Sequence, residues 1–217
     1  MPSDPLILGF DTSAAHCAAA LLSGDTVIAT QHEDMAKGQA ERLMPLLQEV
    51  LDTAGVALSD LSAIGVGVGP GNFTGIRISV AAARGLALSL GVPAVGVSLL
   101  DCLALRANGP VLASLDARRD HLYLQRFANG ADKGPALVPF EDVGTWAMPD
   151  LTCIGQRADE VAARIGAVHA PTAYAPASAI ARIAATRWQR SEPRPAPLYI
   201  RTPDAAPARD TGPVLLP

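Results

Sequence analysis

Short apolar runs alternate with longer stretches of helical periodicity along the first hundred residues. The apolar runs have the length of buried strands and are separated by turn-forming residues. They lie at 6–10, 17–22, 27–31, 61–68 and 94–97. Apolar positions that repeat every three to four residues indicate helices at 38–54, 75–90 and 99–107. The first unit is therefore predicted to begin β-β-β-α-β-α, followed by a further strand and helix.

A second unit with a similar pattern begins at Val111. Its first run ends on Asp116, as the first run of the chain leads into Asp11, and 121–127 supplies a returning strand. The two aspartates are about 105 residues apart, which suggests a weak internal duplication.

The pattern weakens in the rest of the second unit. The predicted elements there are a strand at 151–154, helices at 157–165 and 178–190, and a proline-rich tail from Glu192. We therefore expect an α/β chain with a first lobe at 1–107 and a second, abbreviated lobe at 108–217.

The composition excludes a disordered chain. Of the 217 residues, 49% are hydrophobic and 18% are charged, which is enough to build a core. The apolar stretch 85–97 is interrupted by Gly91 and Pro93 and is too short for a membrane span. No basic region separates Met1 from the first apolar run. We expect no membrane segment, no signal peptide and a cytoplasmic protein.

The formal net charge of −4 is unevenly distributed. The first hundred residues are acidic, whereas six arginines between residues 182 and 210 face three acidic residues. Such a basic region is compatible with RNA or an acidic partner. Because the chain has only two lysines, Lys37 and Lys133, arginine is also its ordinary cation, and this second interpretation is favoured.

The cysteines and histidines form no recognisable site. The three cysteines, Cys17, Cys102 and Cys153, are far apart and have neither disulfide-framework nor zinc spacing. The four histidines lack metal-ligand spacing, and the chain contains no paired-carboxylate motif and no nucleophile elbow. We expect no catalytic residue and no metal site in this chain.

Asp11, Thr12 and Ser13 follow the first strand, and Asp116 ends the corresponding strand of the second unit. Carboxylates and hydroxyls at strand ends can face a metal-bound phosphate in α/β proteins. The same residues also form ordinary turns. The sequence alone favours the turn, with a phosphate loop as the alternative.

A glycine-rich segment joins the fourth strand to the second helix. Gly69, Gly71 and Gly75 allow close backbone approach, and a loop that leads into a helix can offer N–H groups to an anion. No lysine lies near, so this is not a Walker loop. The alternative is a tight strand-to-helix connection whose glycines serve packing alone.

The first helix has an unusually wide apolar face. It covers an arc of roughly 160° at about 100° per residue, which is wider than the stripe of a helix with one packing partner. The residues of this arc are Leu43, Met44, Leu46, Leu47, Val50, Leu51 and Ala54. We expect two partners for this helix.

The second helix is apolar or small all round except for Arg77 and Arg84, which project along one line. Ala81 and Gly85 beside them leave a shallow surface where another helix could approach closely. A buried helix in a large core is the alternative, but two small lobes provide little core on both sides. We therefore predict a subunit interface. Its candidate residues are Leu43, Met44, Leu47, Leu51, Arg77, Ala81, Arg84, Gly85 and Leu88.

Several segments together resemble the TsaB (YeaZ) family. The most specific is the glycine loop with the start of the second helix, Gly69-Pro70-Gly71-Asn72-Phe73-Thr74-Gly75-Ile76-Arg77. The others are 8–13, 85–87, 95–98, 114–118 with Tyr123, and 197–201. The resemblance covers most of the chain and is thin between residues 128 and 190.

The resemblance implies the two-lobed, RNase H-like fold of actin, sugar kinases and Hsp70 (the ASKHA fold), with each lobe built on the order β-β-β-α-β-α and the second lobe abbreviated. It also implies a role in making N6-threonylcarbamoyladenosine (t6A) at position 37 of tRNAs that read codons beginning with A. In that family the catalytic subunit is a paralogue, TsaD, which binds the metal and the adenylate and transfers the acyl group. The TsaB-like chain contributes its two first-lobe helices to a bundle between the subunits, and an ATPase, TsaE, joins the assembly.

From this resemblance we expect a non-catalytic scaffold subunit with TsaD-like and TsaE-like partners. ATP or ADP and metal are then expected on those partners, with no cofactor on this chain alone. A homodimer in the absence of the paralogue, and tRNA contact through the complex, are also expected. The residues Asp11, Thr12, Ser13 and Asp116 would be a vestigial phosphate loop, and Gly69, Gly71 and Gly75 a structural loop.

Two departures from the related proteins bear on this expectation. The catalytic paralogue has a pair of histidines on its first helix, and many TsaB-like chains keep one, whereas 37–41 has none here. Between residues 151 and 211 the second lobe has only the isolated Gly155 and Gly166, whereas actin-like ATPases have a glycine-rich adenosine loop in this lobe. An autonomous phosphotransferase using Asp11, Thr12 and Asp116, or a peptidase, remains the alternative to a scaffold, as does a chain that only self-associates.

Overall fold

The computed structural model describes residues 4–190 and 193–200. Two five-stranded mixed sheets form its framework. The first contains β1 (Leu6–Asp11), β2 (His16–Ser23), β3 (Thr26–Asp34), β4 (Ala63–Gly67) and β5 (Ala94–Val97), in the order β3-β2-β1-β4-β5. Strand β2 is antiparallel to its neighbours β1 and β3, and β4 and β5 run parallel to β1.

The second sheet repeats this topology. It contains β6 (Val111–Asp116), β7 (His121–Phe127), β8 (Lys133–Pro139), β9 (Thr152–Gly155) and β10 (Val168–His169), in the order β8-β7-β6-β9-β10. Its antiparallel and parallel pairings match those of the first sheet strand for strand. The duplication suggested by the sequence is therefore present in the topology of the sheets.

The second lobe has more strands than its sequence pattern predicted. Strand β8, the third strand that the family resemblance implies for this lobe, was not located from the sequence pattern, because Gly134, Pro135 and Pro139 interrupt it and are unfavourable in a central strand. It lies at the edge of the sheet, where proline is tolerated. The lobe is shortened elsewhere, since a 3₁₀ turn at Phe140–Trp146 occupies the place in the chain that a long helix takes in the first lobe.

Five α-helices connect and cover the sheets in the described part of the chain. They are α1 (Gln39–Ala54), α2 (Phe73–Leu90), α3 (Leu99–Ala104), α4 (Ala158–Ile165) and α5 (Pro176–Arg187). A short 3₁₀ turn also occurs at Leu58–Asp60. Helices α1 and α2 share one hydrophobic core with one face of the first sheet.

The other face of the first sheet is covered by α5, which comes from the second half of the sequence. The backbone of this alanine-rich helix lies so close to the sheet that a Cβ at Gly9 or Gly65 would collide with Ala181 or Ala184. In return, α3 from the first half packs on the second sheet, with Leu100 in one cluster with Ala113 and Tyr123. Each half of the chain thus covers part of the other.

Candidate functional site

The segment after β1 is completely buried. Asp11, Thr12 and Ser13 have no exposed surface. The Ser13 hydroxyl donates to Asp11 Oδ2 at 2.9 Å, and His16 Nε2 lies 2.8 Å from the same oxygen. The Thr12 hydroxyl donates to the carbonyl oxygen of Gly75 at 2.7 Å. The polar groups of the segment are therefore directed at the protein itself, and only Asp11 Oδ1 lacks a partner in the described structure.

The backbone between the end of β4 and the start of α2 packs directly against this segment. A Cβ at Gly67, Gly71 or Gly75 would collide with Asp11 Oδ1, the Ser13 carbonyl oxygen or the Thr12 carbonyl oxygen, respectively. These glycines therefore serve close backbone packing, which was one of the two interpretations of the loop. Because the loop packs against Asp11, Thr12 and Ser13, the side chains of these residues are not exposed to solvent.

The buried polar group does not have the arrangement of a Ser-His-Asp triad. The Ser13 hydroxyl donates to Asp11 rather than to His16, so the histidine is not paired with the serine. The ring of His16 also lies beside that of His32, with 5.0 Å between the centroids and 48° between the ring planes.

Asp116 is exposed at the end of β6, in contrast to Asp11 at the corresponding position of β1. Its backbone N–H donates to Gln156 Oε1 at 2.8 Å. The hairpin that follows holds Arg118, Arg119 and Asp120 at positive φ. The two aspartates therefore occupy equivalent places in the two sheets but different environments.

The cysteines are buried thiols. Cys17 and Cys153 have no exposed surface, and burial raises their pKa values from 9.0 to about 11. Burial also raises the pKa of Cys102. A raised pKa keeps the thiol protonated and poorly nucleophilic. Among the described residues, no cluster of three histidine, cysteine, aspartate or glutamate side chains could hold a metal ion.

Three of the candidate interface residues on α1 lie in the core of this chain. Leu43, Leu47 and Leu51 are fully buried with residues of β1, β2 and α2. The prediction that they contact another subunit was wrong: the wide apolar arc is filled by the first sheet and by α2 together. Only Met44, at the edge of the arc, is exposed (45%).

The outward face of α2 is different. Arg77, Ala81, Arg84 and Gly85 are exposed and follow one another along the helix, and Leu88 at its far end is 82% exposed. A Cβ at Gly85 would meet nothing within 4 Å. The structure thus brings five of the nine predicted interface residues onto one exposed stripe of one helix, which we call the α2 stripe.

Helix α2 is also long and apolar enough, by length and composition alone, to cross a membrane. The expectation of no membrane segment rested on 85–97 and did not consider this helix. Its inner side, with Ile76, Val80 and Ala83, belongs to the core of the first lobe, as in the core helix of a folded domain. The apolar residues of its outer side stay exposed in the described chain.

The sequence did not predict that the C-terminal segment returns to this helix. Tyr199 lies against the start of α2, where its hydroxyl accepts a hydrogen bond from Arg77 Nε at 2.9 Å. The Arg77 guanidinium lies 3.7 Å from the centre of the Phe73 ring, and the rings of Phe73 and Tyr199 are 5.1 Å apart. The α2 stripe thus begins with an arginine held by two aromatic side chains.

Comparisons with known proteins agree with this architecture. A family model described as "TsaD: tRNA N6-adenosine threonylcarbamoyltransferase" matches residues 26–185. The tRNA threonylcarbamoyladenosine biosynthesis protein TsaB of Escherichia coli (strain K12) is 41% identical over 132 residues, 57% of this chain and 57% of that protein. The matched region therefore spans less than two thirds of that relative.

Solved structures extend the likeness to most of the chain. YeaZ from Pseudomonas aeruginosa is 30% identical with a TM-score of 0.71, covering 90% of this chain and 99% of that one. The (R)-2-hydroxyglutaryl-CoA dehydratase component A of Acidaminococcus fermentans is only 11% identical, with a TM-score of 0.54 over 85% of this chain and 98% of that one. This last likeness concerns the fold alone.

The two equivalent sheets and their helices define a two-lobed α/β protein of the actin-like class, which confirms the predicted fold class. Within this class, the chain belongs to the TsaB/YeaZ family. Curated members of the family are named for tRNA threonylcarbamoyladenosine biosynthesis.

Proposed function

We propose that this chain is a non-catalytic scaffold subunit that binds a TsaD-like paralogue through the α2 stripe. In this way it enables threonylcarbamoyl transfer to N6 of adenosine 37 in tRNAs that read codons beginning with A. The observation that supports the proposal most directly is the exposure of Ala81, Gly85 and Leu88 on one face of an otherwise well-packed helix.

The described chain leaves the outer side of α2 uncovered. An exposed leucine next to two residues with little or no side chain allows another helix to approach closely, and apolar area then becomes buried between the two. Gly85 has open space above it rather than a neighbouring element. Residues 61–100 contain no acidic residue, so the α2 stripe is apolar and positively charged.

The site after β1 supports a scaffold over an autonomous enzyme. Asp11, Thr12 and Ser13 are buried and covered by the glycine loop, whereas a phosphotransferase needs such groups in contact with its nucleotide. We therefore propose that nucleotide and metal bind to partner subunits, a TsaD-like transferase and a TsaE-like ATPase. We further propose that tRNA is contacted through the complex and that the assembly is cytoplasmic.

The test is co-purification of this chain with the paralogue, together with a t6A assay in the presence and absence of the chain. We expect t6A formation to depend on the chain, and unchanged activity without it would refute the proposal. Gly85→Leu and Ala81→Glu should abolish complex formation, because each places a larger or charged group where a helix must approach.

The matched control is Gly144→Leu in the second lobe. Gly144 is also exposed with open space around its Cα, so this variant should bind normally. All variants should show the circular dichroism of the unmodified chain. Light scattering with and without the paralogue also tests our proposal that the α2 stripe forms a homodimer when the paralogue is absent, because the two partners should then compete.

A further inference from the structure

Arg77 differs from several other arginines of the described chain in having no carboxylate partner. Arg42 forms ion pairs with Glu33 and Glu49, and Arg187 lies 3.4 Å from Asp101. In the second lobe, Arg157 pairs with Asp120 and Glu160 in the same way. Among the described residues Arg77 contacts only the aromatic side chains of Phe73 and Tyr199.

These aromatic contacts fix one part of the guanidinium and leave another part available. One face lies over Phe73, and Nε is used by Tyr199. The two terminal nitrogens, Nη1 and Nη2, have no hydrogen-bond partner in the described structure, and Arg77 is exposed. Nη1 and Nη2 form the fork that binds a carboxylate through two parallel hydrogen bonds.

Tyr199 is itself held by contacts with both lobes. Its neighbour Leu198 packs against the core of the first lobe and donates its backbone N–H to the Val68 carbonyl oxygen at 2.8 Å. Its other neighbour, Ile200, packs against Leu100 and Ala113 at the second sheet. The side chain that orients Arg77 is therefore positioned by the segment 193–200 across both lobes.

From this geometry we propose that Arg77, positioned by Phe73 and Tyr199, binds an aspartate or glutamate side chain of the partner helix that docks on the α2 stripe. The inference rests on the proposed function and names the chemistry of the contact. Rigid arginine and aromatic side chains are the residue types that contribute most to binding at protein interfaces, since little conformational entropy is lost when they are already ordered.

A carboxylate is favoured over an RNA phosphate by the surroundings of Arg77. A surface that follows a phosphate backbone needs several closely spaced cations, but α2 has only Arg77 and Arg84, about 10 Å apart along the helix. Between and beyond them lie Ala81, Gly85 and the exposed Leu88. A surface that combines one ordered arginine with small and apolar residues is suited to bind an amphipathic helix of another protein.

The experiment measures the affinity of the full chain for the TsaD-like paralogue by calorimetry. Arg77→Gln should weaken binding roughly 10- to 100-fold, because it leaves the partner's carboxylate unpaired at the interface. Arg77→Lys should recover little of this loss, since an ammonium group lacks the planar fork. Tyr199→Phe should weaken binding by roughly 3- to 10-fold, as expected for one hydrogen bond.

Arg119→Gln is the matched control. Arg119 is exposed in the hairpin after β6, outside the α2 stripe, and its side chain has no hydrogen-bond or ion-pair partner in the described structure. Its loss should change affinity less than about threefold, which is typical of an exposed charge. An equal effect of the two substitutions would overturn the proposal, because the interaction would then depend on charge alone.

The partner's side of the contact is identified by replacing its surface aspartates and glutamates one at a time with asparagine or glutamine. One of these replacements should weaken binding to the unmodified chain and have no further effect on binding to Arg77→Gln. If none behaves in this way, the proposal is refuted. If the unmodified chain does not bind the paralogue at all, the proposed function fails and this inference with it, whereas unchanged binding by Arg77→Gln refutes the inference alone.

Two further outcomes would assign Arg77 to another ligand. If Arg77→Gln weakens binding of a tRNA transcript more than tenfold and leaves the affinity for the paralogue unchanged, the ligand is a phosphate and the proposal is wrong. If the effect of Arg77→Gln disappears in an Asp204→Asn/Asp210→Asn background, the carboxylate belongs to this chain, and the proposal is likewise wrong.

Discussion

Glycines at the connection from β4 to α2 determine the environment of Asp11, Thr12 and Ser13. Gly67, Gly71 and Gly75 let the backbone of the loop lie directly on Asp11, Thr12 and Ser13. A side chain at any of these positions would push the loop away and reopen the space beside the aspartate. Gly71 and Gly75, which belong to the candidate anion-binding loop of the sequence analysis, therefore close that space in the folded chain.

The first prediction concerns two glycines of the same helix. Gly75→Ala should lower the free energy of unfolding by about 2–4 kcal/mol, because the new methyl group would collide with the Thr12 carbonyl oxygen. Gly85→Ala should instead raise it by about 0.5–1 kcal/mol, since alanine favours the helix and nothing lies nearby. Urea denaturation measures both, and similar effects of the two substitutions would contradict this account.

At the scale of elements, α2 combines three roles in one helix. Its inner side belongs to the core of the first lobe, its N-terminus is joined to the site after β1, and its outer side forms the α2 stripe. Helix α1 has one role only, because its wide apolar arc is used within the chain. The surface that we propose for partner binding is therefore limited to the outer side of α2 and does not include the buried arc of α1.

The second prediction tests how α2 begins. The Asn72 side chain accepts hydrogen bonds from the backbone N–H groups of Thr74 and Gly75, both at 3.0 Å. Asn72→Ala should lower the free energy of unfolding by about 1 kcal/mol, because these N–H groups lose their partner. Asn72→Asp should retain most of the stability. The measurement is again urea denaturation, and an alanine variant as stable as the unmodified chain would show that water replaces the cap without cost.

At the scale of the whole molecule, the two lobes depend on each other. Helix α5 follows the second sheet in the chain but covers the first, where Ile180, Ala181 and Ala184 pack against Ile7 and Val95. Helix α3 crosses in the opposite direction. The segment 193–200 adds contacts to both lobes. The sequence pattern divides at residue 107, but the tertiary contacts do not, because each half of the chain packs against the sheet of the other half.

The third prediction follows from this exchange of helices. A fragment comprising residues 1–107 should not fold, because it lacks the helix that covers one whole face of its sheet. The full chain should unfold in a single cooperative transition. Circular dichroism and dispersion of NMR signals distinguish the two outcomes. A fragment with a cooperative melting transition, or a full chain with two separate transitions, would show that the lobes are independent.

The sequence by itself determined much of the first lobe. Its strands and helices were predicted within a few residues, because buried strands and amphipathic helices leave a clear periodicity. The glycine motif was specific enough to indicate the family. Arg77, Ala81, Arg84, Gly85 and Leu88 also share one exposed side of α2, since spacing along a helix determines which residues share a side.

Only the tertiary structure decided which sides of the helices are covered by the rest of the chain and which stay exposed. Periodicity shows that Leu43 and Gly85 lie on particular sides of their helices, but not that the chain itself covers the first and leaves the second open. It also cannot show that Tyr199 lies beside Arg77, 122 positions earlier. Local patterns determine elements because their interactions are local. Burial and access depend on contacts between residues far apart in the sequence, and these exist only once the chain has folded.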